Sequence, residues 1–369
     1  MRAFWSATHD ETDEKKLIRN LAGERLDYAR AARAARSNLT FLRAILTQAH
    51  EDLDREPRRA RLLTSIAIRA VRLITPRNSS VPAQALAGIA WKERGNALRA
   101  TGRIRRAGIA AEYALTRLGG SDALIVEHAS ALILKAQIEQ DLGHDKTAIQ
   151  LLELAGATFQ QNREHRRYLQ TIMLRGIIEY EAKDYPRARA TFDAALTAAE
   201  RLGDDREAAR LRNNLGFCAL HLRDLVTAWD NFLAAVTGFR ALGMTAEIPR
   251  AEWGLARLLR DHSTTQELVA DLRRVCAEFT QRHMPVEAAT VLLEIAAIFV
   301  GERKFTELRM VCAELHEHVA HADMPLLARN ALARVSTDGP LDVLAADVAD
   351  ARNLLRHIGR DPQPHIPGH

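Results

Sequence analysis

Three groups of side chains in this 369-residue chain have types and spacings that invite a chemical reading. In His316-Glu317-His318-Val319-Ala320-His321, two imidazoles three residues apart share one face of a helix. Zinc hydrolases use two histidines four apart with a glutamate after the first, so this spacing describes a solvated helix face and no metal site is assigned. The basic run Arg103-Ile104-Arg105-Arg106 and the stripe Arg30, Arg33 and Arg36 could each meet phosphates. Neither is joined to a DNA-reading motif or an aromatic stacking platform, so nucleic acid is not the expected partner. Cys218, Cys276 and Cys312 are odd in number, far apart and each within a helical pattern, as expected of buried free thiols in a reducing compartment.

Catalysis needs a nucleophile with a base, paired carboxylates or a metal cluster converging in a pocket. No such constellation is present, and no glycine-rich phosphate loop of standard spacing. The sequence therefore assigns no catalytic residue and no cofactor. No apolar run reaches the roughly 18 residues of a membrane span, and the first residues lack a basic-then-apolar leader, so a cytoplasmic protein is expected. The formal charge of +5 is uneven, because residues 1–78 carry 16 Lys and Arg against 10 Asp and Glu.

Hydrophobic residues make up 47% of the chain, aromatics 5%, and prolines number 11. Rich in Ala, Leu, Arg and Glu, it reads as all-α, since straight-chain side chains lose little rotamer freedom in helices. Small residues recur at 95, 136, 176, 216, 256 and 296, five intervals of 41, 40, 40, 40 and 40. Around each, a small residue is followed by a turn and then by residues three to four apart, as in Leu215, Gly216, Leu225, Ala228, Phe232 and Ala235. Gly or Ala sits where a second helix crosses closely, and a bulky ring such as Phe192 or Phe232 fills the space between pairs. Neither helix buries its face alone, so the copies must stack.

The residues Trp91, Gly95, Gly102, Ala107 and Ala114, and the set around Gly216, resemble the tetratricopeptide repeat. The usual unit is about 34 residues, so a 40-residue period implies an extra turn on the helices or longer joints such as 198–206. In that respect the chain resembles long-period bacterial regulatory arrays and signalling scaffolds of this family. The resemblance implies a right-handed α-solenoid. A basic helical region over 1–78 forms a divergent repeat or cap, about six helix pairs span 79–335, a capping helix covers 336–357 and a disordered tail follows over 358–369. It also implies a concave groove lined by first-helix residues at fixed offsets from the small anchors. Those offsets select Lys92, Asn96, Arg99, Gln137, Gln140, Gln170, Tyr180, Arg210, Asn213, Arg250, Trp253, Arg257 and Arg260, and also apolar Ile133, Met173, Ile177, Phe217 and Leu220. Lys92 and Asn96 match two positions of a carboxylate clamp used by chaperone-binding relatives, but Leu134 replaces the next asparagine.

The expected function is a non-catalytic scaffold or adaptor holding a protein or peptide in the groove, and the arginines favour an acidic one. The alternative is a peptide sensor whose superhelix changes pitch on binding. The sequence leaves the oligomeric state open.

Overall fold

A computed structural model describes residues 39–53, 56–74, 81–259, 264–321, 328–329, 332–335 and 340–358. Every regular element among them is helical: no strand occurs. The chain divides into two compact units, the first ending at Ala182 and the second starting at Lys183.

The first unit holds α1 (Leu39–Glu51), α2 (Pro57–Ile74), α3 (Val81–Ala100), α4 (Ile104–Leu118), α5 (Ile125–Asp141), α6 (Asp145–Gln161) and α7 (His165–Glu181), with a short 3-10 turn at Asp122–Leu124. The second holds α8 (Tyr185–Leu202), α9 (Asp205–His221), α10 (Leu225–Ala241), α11 (Ile248–Leu258), α12 (Thr265–Gln281), α13 (Pro285–Gly301), α14 (Phe305–His321) and α15 (Leu341–Ile358).

The 40-residue period is built from two 20-residue halves. Residues with positive φ stand at Gly143, Arg163, Lys183, Gly203, Arg223, Gly243, His283 and Arg303, a spacing of 20 broken only at 263, which lies outside the described residues. Each ends a helix, and at seven of the eight the N–H of the following residue bonds back five residues, as in Asp204 to Ala199 at 3.0 Å, Asp224 to Ala219 at 3.0 Å and Met284 to Phe279 at 2.9 Å. This left-handed stop satisfies carbonyls that the helix leaves open. Asp184, Asp204 and Asp224 then accept an N–H from the next helix's first turn, and Thr264 forms a reciprocal capping box with Glu267. Three-residue joints and helices of mostly 17 residues result. The extra length relative to a 34-residue unit thus lies in the helices, and the segment 198–206 is helix, stop and cap in succession.

Second helices bury the same positions every 40 residues. Ala148, Ala188, Ala228, Leu268 and Leu308 form one row; Leu152, Phe192, Phe232, Leu272 and Cys312 a second; Ala155, Ala195, Ala235, Val275 and Leu315 a third. Within each helix these sites are spaced by four and three, the single apolar stripe expected of a helix covered on one side. The interval breaks at α11, which starts late at Ile248 after a turn closed by Glu247 N–H to Met244 O at 3.1 Å. Pro249 sits in its first turn, where a missing N–H costs nothing.

At the N-terminal side, α1 and α2 share a core with α3 through Phe41, Ile45, Ile66, Val71, Leu86 and Ala90. At the other end, α15 buries Leu344, Val348, Ala351 and Leu355 in the core of α13 and α14. The three cysteines are buried and in no disulfide, and burial pushes the Cys276 and Cys312 thiols up to about 11, which keeps them protonated.

Candidate ligand-binding faces

In the second unit the first helices α9, α11 and α13 carry a continuous polar ladder. Arg210 donates to Glu207 at 2.6 Å and lies 3.4 Å from Glu247. Arg250 donates to Glu247 at 3.1 Å and to Glu287 at 2.7 Å. Each rung therefore joins one first helix to the next. Arg250 is only 7% exposed, so the expectation of a solvent-facing arginine is corrected: it is sandwiched between two carboxylates. Burial raises the Glu207 carboxyl above its ordinary value even though Arg210 pulls it down.

Farther along the same helices lies an aromatic site. The Trp253 indole N–H donates to Glu294 at 2.8 Å, its ring meets Phe217 and Phe279 edge-on at 6.4 Å each, and the Arg257 guanidinium stands 5.8 Å from the ring centre. Arg257 is also 3.5 Å from Glu294. One half-buried indole is thus held between an apolar floor and an ion pair. Asn213, 8% exposed and 40 residues before Trp253, has a carbonyl oxygen with no hydrogen-bond partner.

The first unit repeats the theme. Glu93 is buried and receives the Lys92 ammonium at 3.1 Å, Asn96 at 3.0 Å and His50 at 3.1 Å. Burial alone would raise its carboxyl, but Lys92 and the hydrogen bonds outweigh it and hold it well below the usual range. Burial likewise opposes the Lys92 charge, which Glu93 and Glu127 more than restore. Arg99 reaches Asp141 at 3.5 Å, Gln140 donates to Glu181 at 2.7 Å, and Arg167 contacts Glu127 at 3.4 Å. Gln137 is buried, and its side-chain nitrogen has no hydrogen-bond partner; Gln170 is half-buried.

Of the residues selected by offset, Lys92, Asn96, Arg99 and Gln140 enter the first unit's pairs, and Arg210, Arg250, Trp253 and Arg257 the second unit's. Arg260 lies outside the described residues. Met173, Ile177 and Phe217 are core, so the offsets run into the packing there. The sequence reading missed the carboxylates Glu207, Glu247, Glu287 and Glu294. Their signal was available: Glu127, Glu207, Glu247 and Glu287 recur at multiples of 40. Arginines picked without their acids look cationic, whereas Arg210, Arg250 and Arg257 stand against Glu207, Glu247, Glu287 and Glu294.

No protein-family model matches the chain, and no curated protein matches its sequence. Solved structures do. Aspartyl phosphate phosphatase F from Bacillus subtilis is 11% identical with a TM-score of 0.60, covering 75% of this chain and 71% of its own. A Rap protein complexed with competence and sporulation factor is 12% identical with a TM-score of 0.58, covering 85% and 87%. The Rap conjugation gene regulator of plasmid pLS20, in complex with a peptide, is 14% identical with a TM-score of 0.52, covering 88% and 98%. At such identities the likeness concerns architecture alone: with the 20-residue helix-and-stop pattern, the chain shares the all-α helical-repeat fold of these structures.

Proposed function

We propose that the protein is a non-catalytic regulatory scaffold that binds a peptide across α9, α11 and α13. The observation that carries this reading is the half-buried Trp253, held by Glu294, Phe217 and Phe279 on a face whose arginines are already ion-paired. The Asn213 amide suits pairing with an extended peptide backbone, and the exposed part of Trp253 suits an apolar or cationic side chain. Two of the similar folds are complexes, one with competence and sporulation factor and one with a peptide, which supports the same class of ligand here. Because the arginines are already ion-paired, the ligand need not be acidic, and a mixed-charge or apolar peptide fits better.

The test is to select short peptides from a random library on the intact chain and to titrate the selected peptides calorimetrically. Asn213→Leu and Trp253→Phe should each weaken binding by about tenfold, the roughly 1.4 kcal/mol of one lost buried contact. Unchanged affinity in both variants would move the site elsewhere.

A further inference from the structure

Helix α4 turns a mixed strip outward. Arg106, Ile109, Tyr113 and Arg117 are spaced by three, four and four, so they share one face, while Ala107, Ala111, Ala114 and Leu118 take the inner one. Ile109 is 59% exposed and Tyr113 50%, and the Tyr113 ring is steadied by stacking on Trp91 of α3 at 4.6 Å. Apolar residues exposed singly need no explanation, but neighbours on one face with a charged rim suit a contact surface.

The rim has one sign. Arg105, Arg106 and Arg117 are exposed, and among the described residues none of the three forms an ion pair. The acid of this helix, Glu112, is taken by Lys135 at 2.7 Å. Helix α2, which shares a core with the same α3, repeats the order in Arg58, Leu62 and Arg69, all exposed. Later second helices treat the row differently. At the Tyr113 position α6, α8 and α12 carry Glu153, Asp193 and Arg273; Glu153 lies 3.4 Å from Arg175, and Arg273 lies 2.9 Å from Glu314. Helix α10 exposes Trp229 and Leu233 there, but its one cation, Arg240, is paired with Glu252 at 3.0 Å.

Charge decides what fits on α4. A second copy laid antiparallel on this helix would set Arg106 of one against Arg117 of the other, and a parallel one would set each arginine against itself. Like charges meet in both arrangements, which disfavours self-pairing. A nucleic acid would satisfy the arginines and leave Ile109 without a partner. We infer that the outer face of α4 is a docking surface for an acidic amphipathic helix of another protein. Its apolar side chains would cover Ile109 and Tyr113, and carboxylates at its two ends would meet Arg106 and Arg117. The strip runs about 16 Å, three turns, a length over which a docked helix presents anchors at successive turns. The surface is independent of the peptide reading and lies wholly in the first unit.

The experiment is fluorescence anisotropy of the intact chain with three labelled, side-chain-stapled helical peptides. One has two central leucines four apart and glutamates at both ends, its twin has lysines for the glutamates, and the third has serines for the leucines. The acidic leucine peptide should bind at least tenfold tighter than either other, and added salt should weaken it. Arg106→Gln with Arg117→Gln should erase the preference over the lysine twin, and Ile109→Ser with Tyr113→Gln the preference over the serine peptide. All four side chains are exposed, so far-UV circular dichroism of both variants should match the parent, which separates lost docking from misfolding. Trp253→Phe should change neither preference, which keeps the result distinct from binding on α9, α11 and α13. No binding at millimolar peptide, or equal binding of the twins, overturns the proposal. So does a single-stranded oligonucleotide that binds tighter through the same four residues, or a dimer in sedimentation that Ile109→Ser dissolves.

Discussion

Gly254 and Gly216 converge on the fully buried ring of Phe232, and adding one methyl at either tests how tightly the second unit is packed. A Cβ on Gly254 would stand 2.4 Å from ring atoms Cε1 and Cζ, and one on Gly216 would stand 2.7 Å from Cδ1 and Cε1. Carbon contacts settle near 3.5–4.0 Å, so the ring or a helix must shift by about 1 Å. Overpacking of this size costs roughly 1–3 kcal/mol. Replacing glycine by alanine inside a helix returns about 1 kcal/mol of propensity, so Gly254→Ala should be destabilised by up to about 2 kcal/mol net. Gly108 is the control: its added Cβ would meet only Ile138 at 3.9 Å, so Gly108→Ala should gain up to about 1 kcal/mol. Urea unfolding followed by circular dichroism reads both. Combining Gly254→Ala with Phe232→Leu should recover at least about 1 kcal/mol relative to additivity, because the smaller side chain vacates the clash. If Gly254→Ala gains stability as Gly108→Ala does, or the pair is additive, the close approach at this ring is not what fixes the helix spacing.

Other outcomes follow from features of the same kind. Arg250→Glu should cost about 3–5 kcal/mol in urea unfolding, since it leaves Glu247 and Glu287 facing a third buried carboxylate, whereas Arg250→Met should cost much less. Arg303→Gly should raise stability by a few tenths to about 1 kcal/mol, because Arg303 sits at a φ of 55° that glycine adopts freely. Glu93 has a depressed folded-state carboxyl, so its contribution is complete above the unfolded-state value and lost as pH falls below it. Acid unfolding of Glu93→Gln should accordingly be flatter below about pH 4.5. Deleting residues from Leu341 onward should uncover the apolar face of α13 and α14 and produce concentration-dependent aggregation in light scattering.

Much of this architecture was legible before the coordinates, and the reason is physical. Stacked helix pairs repeat their contacts, so the buried rows at Ala188, Ala228 and Leu268 must recur at the period of the backbone. The helix Leu341–Ile358 likewise buries residues three to four apart, Leu344, Val348, Ala351 and Leu355. What did not carry over was the character of the first-helix faces. Offsets locate positions but not partners, and Arg210 looked free because Glu247 is 37 residues away on another helix. The late start of α11 also escaped notice, since a proline in a first turn is compatible with either boundary.

The three-residue joints have a consequence for how such a chain can diversify. Connections this short, closed by a left-handed residue every 20 positions, leave no length for a recognition loop or an active-site lid between α5 and α10. Specificity must be written on helix surfaces, one side chain at a time. A single inserted residue in a 17-residue helix would rotate everything after it by about 100° and point a core row at water. Changes of sequence length are therefore tolerable here in whole halves of the repeat, while ligand choice is free to drift by substitution alone.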